Sequence, residues 1–157
     1  MNSSVNKPNI IAHKVKQGLK RIDGIKNIIA VTSGKGGVGK SLIAANIAIS
    51  LARTGARVCT VDLDLGCANL HTCLGVEIPQ VTLSDFFSKR VPDIQHTIVK
   101  TEIPNLDLIS GAQDALGVAN LKHTQKSKLL QSLLALPVDY LIFDLGAGTS
   151  FNTLDFF

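Results

Sequence analysis

Apolar residues along this chain of 157 residues fall into short runs separated by turn residues, with helical stripes between them. Ile28, Ile29, Ala30 and Val31 are apolar at consecutive positions, which predicts a strand over 27–32 covered on both faces. A helix from about Gly39 to Thr54 follows, with Leu42, Ala45, Ile49 and Ala52 on one side and Gly55 where a C-terminal stop belongs. Arg57 to Asp62 reads as the second strand. Thr82 to Phe87 reads as a short capped helix after Pro79, and residues 93–100 as a further short helix. Leu106 to Ile109 forms a third strand. Lys122 to Leu136 is a helix with Leu129, Leu133 and Leu136 inward, Lys122, Lys126 and Lys128 outward, and Pro137 closing it. Asp139 to Phe143 is the fourth strand. Strands alternating with helices predict an α/β fold, a mostly parallel sheet with helices on both faces.

Two stretches precede this body. Residues 1–9 read as a lead-in, and Ile10 to Ile22 as an amphipathic helix with Ile11, Val15, Leu19 and Ile22 on one stripe. Gly18 weakens that helix by about 1 kcal/mol relative to Ala. The basic stripe can pack on its own domain, meet a partner or a lipid surface, or touch nucleic acid. We therefore divide the chain into a basic arm, 1–24, and a domain, 25–157.

Composition narrows the class. The chain is 45% hydrophobic but only 4% aromatic, so its core is built from Ile, Leu, Val and Ala, which suits a covered parallel sheet. No apolar run reaches the length of a membrane span, and the N-terminus lacks a signal-peptide core. Cys59, Cys67 and Cys73 form no even framework and read as reduced thiols, which places the protein in the cytoplasm. The net charge is +4, and within residues 1–27 Lys7, Lys14, Lys16, Lys20, Arg21 and Lys26 against Asp23 give +5. The basic character belongs to the arm, and nucleic acid is not an expected partner of the body.

The chemistry lies at the turn after the first strand. Gly34, Gly39, Lys40 and Ser41 fit G-x-x-x-x-G-K-[ST]. Glycines let successive backbone N–H groups converge on phosphate oxygens, Lys40 adds a cation, and the Ser41 hydroxyl can ligate Mg²⁺. The helix N-terminus adds its partial positive charge. The candidate nucleotide cradle is Gly34, Lys35, Gly36, Gly37, Val38, Gly39, Lys40, Ser41 and Leu42. The second strand ends in Asp62-Leu63-Asp64, with both carboxylates at the strand end where ligands of open α/β sheets bind. The fourth strand ends in Asp144-Leu145-Gly146-Ala147-Gly148, an aspartate after four apolar residues as a Mg²⁺-holding strand end requires. Gly146 and Gly148 let the backbone approach a γ-phosphate.

The segment Gly34-Lys35-Gly36-Gly37-Val38-Gly39-Lys40-Ser41 resembles the deviant Walker A motif of the MinD/ParA family of ATPases, which includes FlhG and Mrp-type members. The resemblance implies ATP and Mg²⁺ as ligands and an ATP-dependent homodimer in which Lys35 reaches the partner's nucleotide while Lys40 serves its own. It implies that Asp64 orients the attacking water, Asp62 supports Mg²⁺ and the loop, and Asp144 serves Mg²⁺. Lys35, Lys40 and Asp64 are then the catalytic candidates, and Ser41, Asp62 and Asp144 the metal candidates. Cys67-Ala68-Asn69-Leu70 looks like MinD and FlhG, whereas Gly24-Ile25-Lys26-Asn27 and the strand after it look like Mrp. Mrp-type iron–sulfur carriers use a Cys-x-x-Cys pair, and none is present here. Cys67, His71 and Cys73 fit no zinc spacing. FlhG-type members carry a partner-binding motif in an N-terminal helix, where this chain reads Lys16-Gln17-Gly18.

The implied function is a spatial switch of the MinD/ParA/FlhG type, in the cytoplasm or at the inner-membrane surface, with a protein or membrane meeting residues 10–22. The alternatives are an Mrp-type iron–sulfur carrier and a non-catalytic nucleotide-binding module targeted by its arm. The family's domain is longer than this chain, which implies a fold incomplete at its C-terminus, Ile28 to Val31 as an exposed apolar edge, and weak hydrolysis by the chain alone.

Overall fold

A computed structural model describes residues 27–64, 68–111 and 122–147. Strand β1 (Asn27–Ser33) leads through the glycine-rich turn into helix α1 (Lys40–Arg53), which returns to strand β2 (Val58–Leu63). Two short helices follow, α2 (Leu70–Cys73) and α3 (Leu83–Phe87), then a single 3-10 turn over Ile94–Thr97. Strands β3 (Ile98–Lys100) and β4 (Leu106–Ile109), helix α4 (His123–Leu134) and strand β5 (Tyr140–Ala147) complete the described residues.

The five strands form one sheet in the order β1-β5-β2-β4-β3. Neighbours are parallel except β3, which runs antiparallel beside β4 at one edge. The expected mostly parallel sheet with helices on both faces is therefore present. Every residue of β2 is buried, as its place between two neighbours and two helical layers requires. β1 forms the other edge of this sheet, and Ile28 is 45% exposed there.

One core lies between the sheet and α1, where Ala44, Ala45, Ala48 and Ala52 face Val58, Leu106, Leu108 and Ile142. Four small side chains in a row let the helix axis lie close to the strands. The other core lies under α4 and α3, where Leu129 and Leu133 meet Val61, Leu141 and Phe143. Each fully buried aliphatic side chain there contributes about 1.5–3 kcal/mol. Gly55, at φ +89°, ends α1 with its N–H donating to the Ala52 carbonyl. Thr82 and Asp85 cap α3 reciprocally: the Thr82 hydroxyl accepts from the Ser84 N–H and the Asp85 carboxylate from the Thr82 N–H.

Four sequence expectations need correction. Residues 93–100 are not a helix. A single 3-10 turn, with its N–H at Gln95 donating to the Asp93 carboxylate, passes into edge strand β3. Leu42 does not face the core and is 58% exposed, because the buried stripe of α1 runs through Ala44, Ala45, Ala48 and Ala52. At about 100° per residue, Leu42 lies roughly 100° round the helix from the centre of that stripe. Lys126 is buried, not outward, because it stands one turn before Leu129 on the same face. Its aliphatic stem packs there. Strand β5 continues past Phe143 to Ala147, so Asp144 lies within the sheet and not beyond it.

The arm, the Cys67 position, the segment 112–121 and Gly148 lie outside the described residues.

Candidate functional site

Parallel pairing brings the C-terminal ends of β1, β5 and β2 to one side of the sheet. In register, Val31 lies opposite Asp144 and Asp144 opposite Asp62, so two carboxylates stand side by side where β1 enters the glycine-rich turn. That turn runs through two left-handed glycines, Gly37 at φ +71° and Gly39 at φ +84°, conformations that a side chain disfavours. The Ser33 hydroxyl donates to the Lys35 carbonyl at 2.7 Å, pinning the start of the turn.

Helix α1 begins without a side-chain cap and without an acidic residue in its first turn. No side-chain cap among the described residues engages its N-terminal amides, which suits them to an anion. Lys40 opens the helix and is buried, Ser41 is half-buried beside it, and Lys35 and Val38 are exposed on the turn. Gly34 and Gly36 are exposed as well, and Leu42 lies on the outer side of the first helical turn.

The two carboxylates differ in how they are held. Asp62 is fully buried, and each of its oxygens accepts a backbone N–H at 3.0 Å, one from Asp64 and one from Leu70. It therefore clamps the turn between β2 and α2. Burial pushes its carboxyl up to about 7, against the two amide hydrogen bonds, with Asp144 and Asp64 adding to the rise. Asp144 is buried too, yet neither of its oxygens has a hydrogen-bond partner among the described residues. Burial raises its carboxyl, while the nearby Ser41 hydroxyl and Lys40 ammonium favour the charged form.

An unpartnered buried carboxylate costs free energy unless something not in the protein satisfies it. Beside a serine hydroxyl and a phosphate-binding turn, the group that fits is a hard divalent cation with oxygen ligands. Ser41 and Asp144 suit Mg²⁺ on this ground. The oxygens of Asp62 are engaged by amides, and its visible work is to shape the turn that carries Asp64.

Asp64 is half-buried across from Gly146. A methyl group built on Gly146 would stand 3.5 Å from Asp64 Oδ1, so the carboxylate and the end of β5 are neighbours. The structure thus brings Lys40, Ser41, Asp64 and Asp144 together around one point, with Asp62 behind them. Lys35 stands apart on the exposed turn.

Gly111 contributes without having been singled out in the sequence. A Cβ there would lie 2.7 Å from the Asp62 carbonyl oxygen and 3.0 Å from Ala68 Cβ, so the chain leaving β4 presses directly on the turn that Asp62 clamps. The sequence signal was a Ser-Gly pair at a strand's C-terminal end, on the side where the other ligand-facing ends lie.

Residues 24–157 match the family described as "ParA: NUBPL iron-transfer P-loop NTPase". The chain belongs to the ParA family of P-loop NTPases. Among curated relatives, it is 37% identical over 141 residues to an iron–sulfur cluster carrier protein of Salmonella typhimurium, covering 90% of this chain and 37% of that one. It is 36% identical over 123 residues to the septum site-determining protein MinD of Thermotoga maritima, covering 78% of this chain and 45% of the relative. Among solved structures, MinD of Pyrococcus horikoshii, complexed with Mg-ADP, superposes with a TM-score of 0.72 at 31% identity, covering 82% of this chain and 52% of that one. The chain spans less than half the length of these two curated relatives. Two branches of the ParA family, carrier and septum-site protein, are thus matched at nearly equal identity.

Among the described residues no three His, Cys, Asp or Glu side chains group as a metal site. His71 is buried with its Nδ1 unpartnered and Cys73 is half-buried, while Cys67 lies outside the described residues. No helix among the described residues is long and apolar enough to cross a membrane.

Proposed function

We propose that this ParA-family protein binds ATP with Mg²⁺ at the β1–α1 turn and hydrolyses it, cycling between nucleotide states as a spatial switch of the MinD/FlhG type. The observation that carries the reading is the pair of orphaned oxygens of Asp144 set beside Ser41 and Lys40. The amides of residues 35–41 and the Lys40 ammonium receive the phosphates. Mg²⁺, when bound, neutralises charge developing on the β- and γ-phosphates. Asp64 orients a water in line with the bond to the γ-phosphorus. The water oxygen bonds to phosphorus as the bond to the ADP oxygen breaks, and the water's protons pass to the phosphate product and solvent.

Lys35 lies on the exposed side of the turn, free of the cluster around Asp144, which is where a residue acting on a second copy's nucleotide belongs. We assign it that role in an ATP-dependent homodimer. The working location is the cytoplasm.

Single-turnover hydrolysis of Mg-ATP by the complete protein tests the reading. Asp64→Asn should lower the rate by about 10²-fold or more with ATP affinity kept. Lys35→Ala should keep affinity and abolish the rise in rate with protein concentration. Rates unchanged by Asp64→Asn would refute the assignment.

A second reading, an iron–sulfur carrier using the same nucleotide site, is favoured by the matched family's description and by the Salmonella relative. Cys59 does not serve it, being wholly buried with its thiol pushed up by that burial. Cluster absorbance after anaerobic reconstitution of the complete protein would favour the carrier, and its absence the switch.

A further inference from the structure

The end of the sheet opposite the phosphate-binding turn carries a groove of about 760 Å³ that the nucleotide chemistry does not use. It lies where β2 and β4 begin and where β3 ends, and its apolar wall is formed by Ile98, Ile103, Pro104, Leu136, Pro137 and Val138. Leu136 and Val138 are buried at its floor, Ile98 and Ile103 are half-buried on its sides, and Pro104 and Pro137 are exposed at its rim. Arg57 with Asp139, and Lys100 with Asp107, form ion pairs at the same end of the sheet, so its local charge is largely cancelled. Apolar area and shape therefore decide what fits.

β1 enters the sheet beside this groove. The Asn27 N–H donates to the Asp139 carbonyl, and the N–H groups of Asp139 and Tyr140 both donate to the Arg57 carbonyl. The residue after the groove's Val138 therefore holds the first described residue of the chain. We infer that residues 10–22 fold back as an amphipathic helix into this groove, seating Val15, Leu19 and Ile22 against Ile98, Ile103 and Pro104. Reach permits it. Residues 23–26 span up to about 13 Å when extended, and the groove begins two strand spacings from β1, about 10 Å. A groove of this size suits the three side chains of one helical stripe. The stripe is wholly aliphatic, while Lys14, Lys16, Lys20 and Arg21 lie off it and stay in water. The exposed carboxylate of Glu102, next to Ile103, gives those cations a neighbour of opposite sign. Docked there, the arm lies at the end of the sheet opposite the phosphate-binding turn.

The absence of tryptophan makes the test direct. Leu19→Trp in the full chain places a single indole on the stripe. Its emission should be blue-shifted and quenched several-fold less by acrylamide than a free indole, equally at high and low protein concentration. Adding Ile103→Asp should move the emission to that of a solvated indole, and so should Pro104→Asp, which touches only the exposed rim. Unchanged thermal unfolding of the Leu19→Trp/Pro104→Asp chain would show that the shift is not loss of fold. A solvated indole from the start, or a blue shift lost on dilution, would overturn the inference. So would emission that responds to Ile28→Asp and to neither groove substitution, which would seat the arm on the β1 edge.

Discussion

Asp62 and Asp144 face each other across adjacent parallel strands, one with both oxygens bonded to backbone N–H groups and the other with neither bonded among the described residues. The pair divides two tasks between like residues. Asp62 fixes the turn that presents Asp64, and Asp144 is left with unspent acceptors pointing at the phosphate-binding turn. The asymmetry decides what each substitution should do.

Asp144→Asn removes a buried charge whose desolvation outweighs the support of the Ser41 hydroxyl and the Lys40 ammonium. In the nucleotide-free protein it should raise stability by about 1 kcal/mol, a gain of some 2–4 °C in the unfolding midpoint. The same change should weaken Mg²⁺-dependent nucleotide binding by about 10–100-fold. Thermal unfolding and calorimetry on one preparation read both, and a variant that loses stability as well as affinity would count against the orphaned carboxylate.

The pH dependence of stability follows from Asp62. Its carboxyl ordinarily titrates near 3.8 and is pushed up to about 7 in the fold, so the folded state favours the protonated form. The stabilisation is complete below the ordinary value and is lost as pH rises from about 4 through about 7. The unfolding midpoint of the nucleotide-free protein should fall across that interval. Asp62→Asn, which cannot titrate, should flatten the fall, and an equal slope in both proteins would remove Asp62 as its source.

Gly111→Ala tests the packing behind the turn. A methyl group 2.7 Å from the Asp62 carbonyl oxygen cannot be accommodated without movement of backbone. The expected cost is about 1–3 kcal/mol, with slower hydrolysis and little change in nucleotide affinity, since Lys40 and Ser41 are untouched. Denaturant unfolding and turnover measured together would check it, and a neutral substitution would show that the turn gives way freely.

Much of this was legible in the residues. The turn 34–41, Asp62, Asp64 and Asp144 could be placed at one end of the sheet because each follows an apolar strand run. The strands β1, β2, β4 and β5 and the capped helix after Thr82 followed from patterning of the same directness. What was hidden depended on neighbours distant in the chain. The face of α1 was misread because alanine carries too little hydrophobic signal to mark Ala44 and Ala48 as core beside Leu42. Lys126 was misread because its charge hides the stripe it shares with Leu129 and Leu133. β3 was missed because three residues show no period, and antiparallel pairing to β4 supplies what the segment lacks. The Ser110-Gly111 pair marks a strand end but not the contact that Gly111 makes, since the Asp62 carbonyl is 49 positions away in the sequence.

The central claim is that the β1–α1 turn is a working Mg²⁺-dependent nucleotide site, and calorimetry with ATP and ADP on the protein and on Lys40→Ala tests it most directly. Binding that requires Mg²⁺ and falls by at least about 2 kcal/mol in the variant, while both proteins unfold with the same cooperative transition, is the predicted result. Two cooperatively folded proteins that bind nucleotide equally, or not at all, would contradict it.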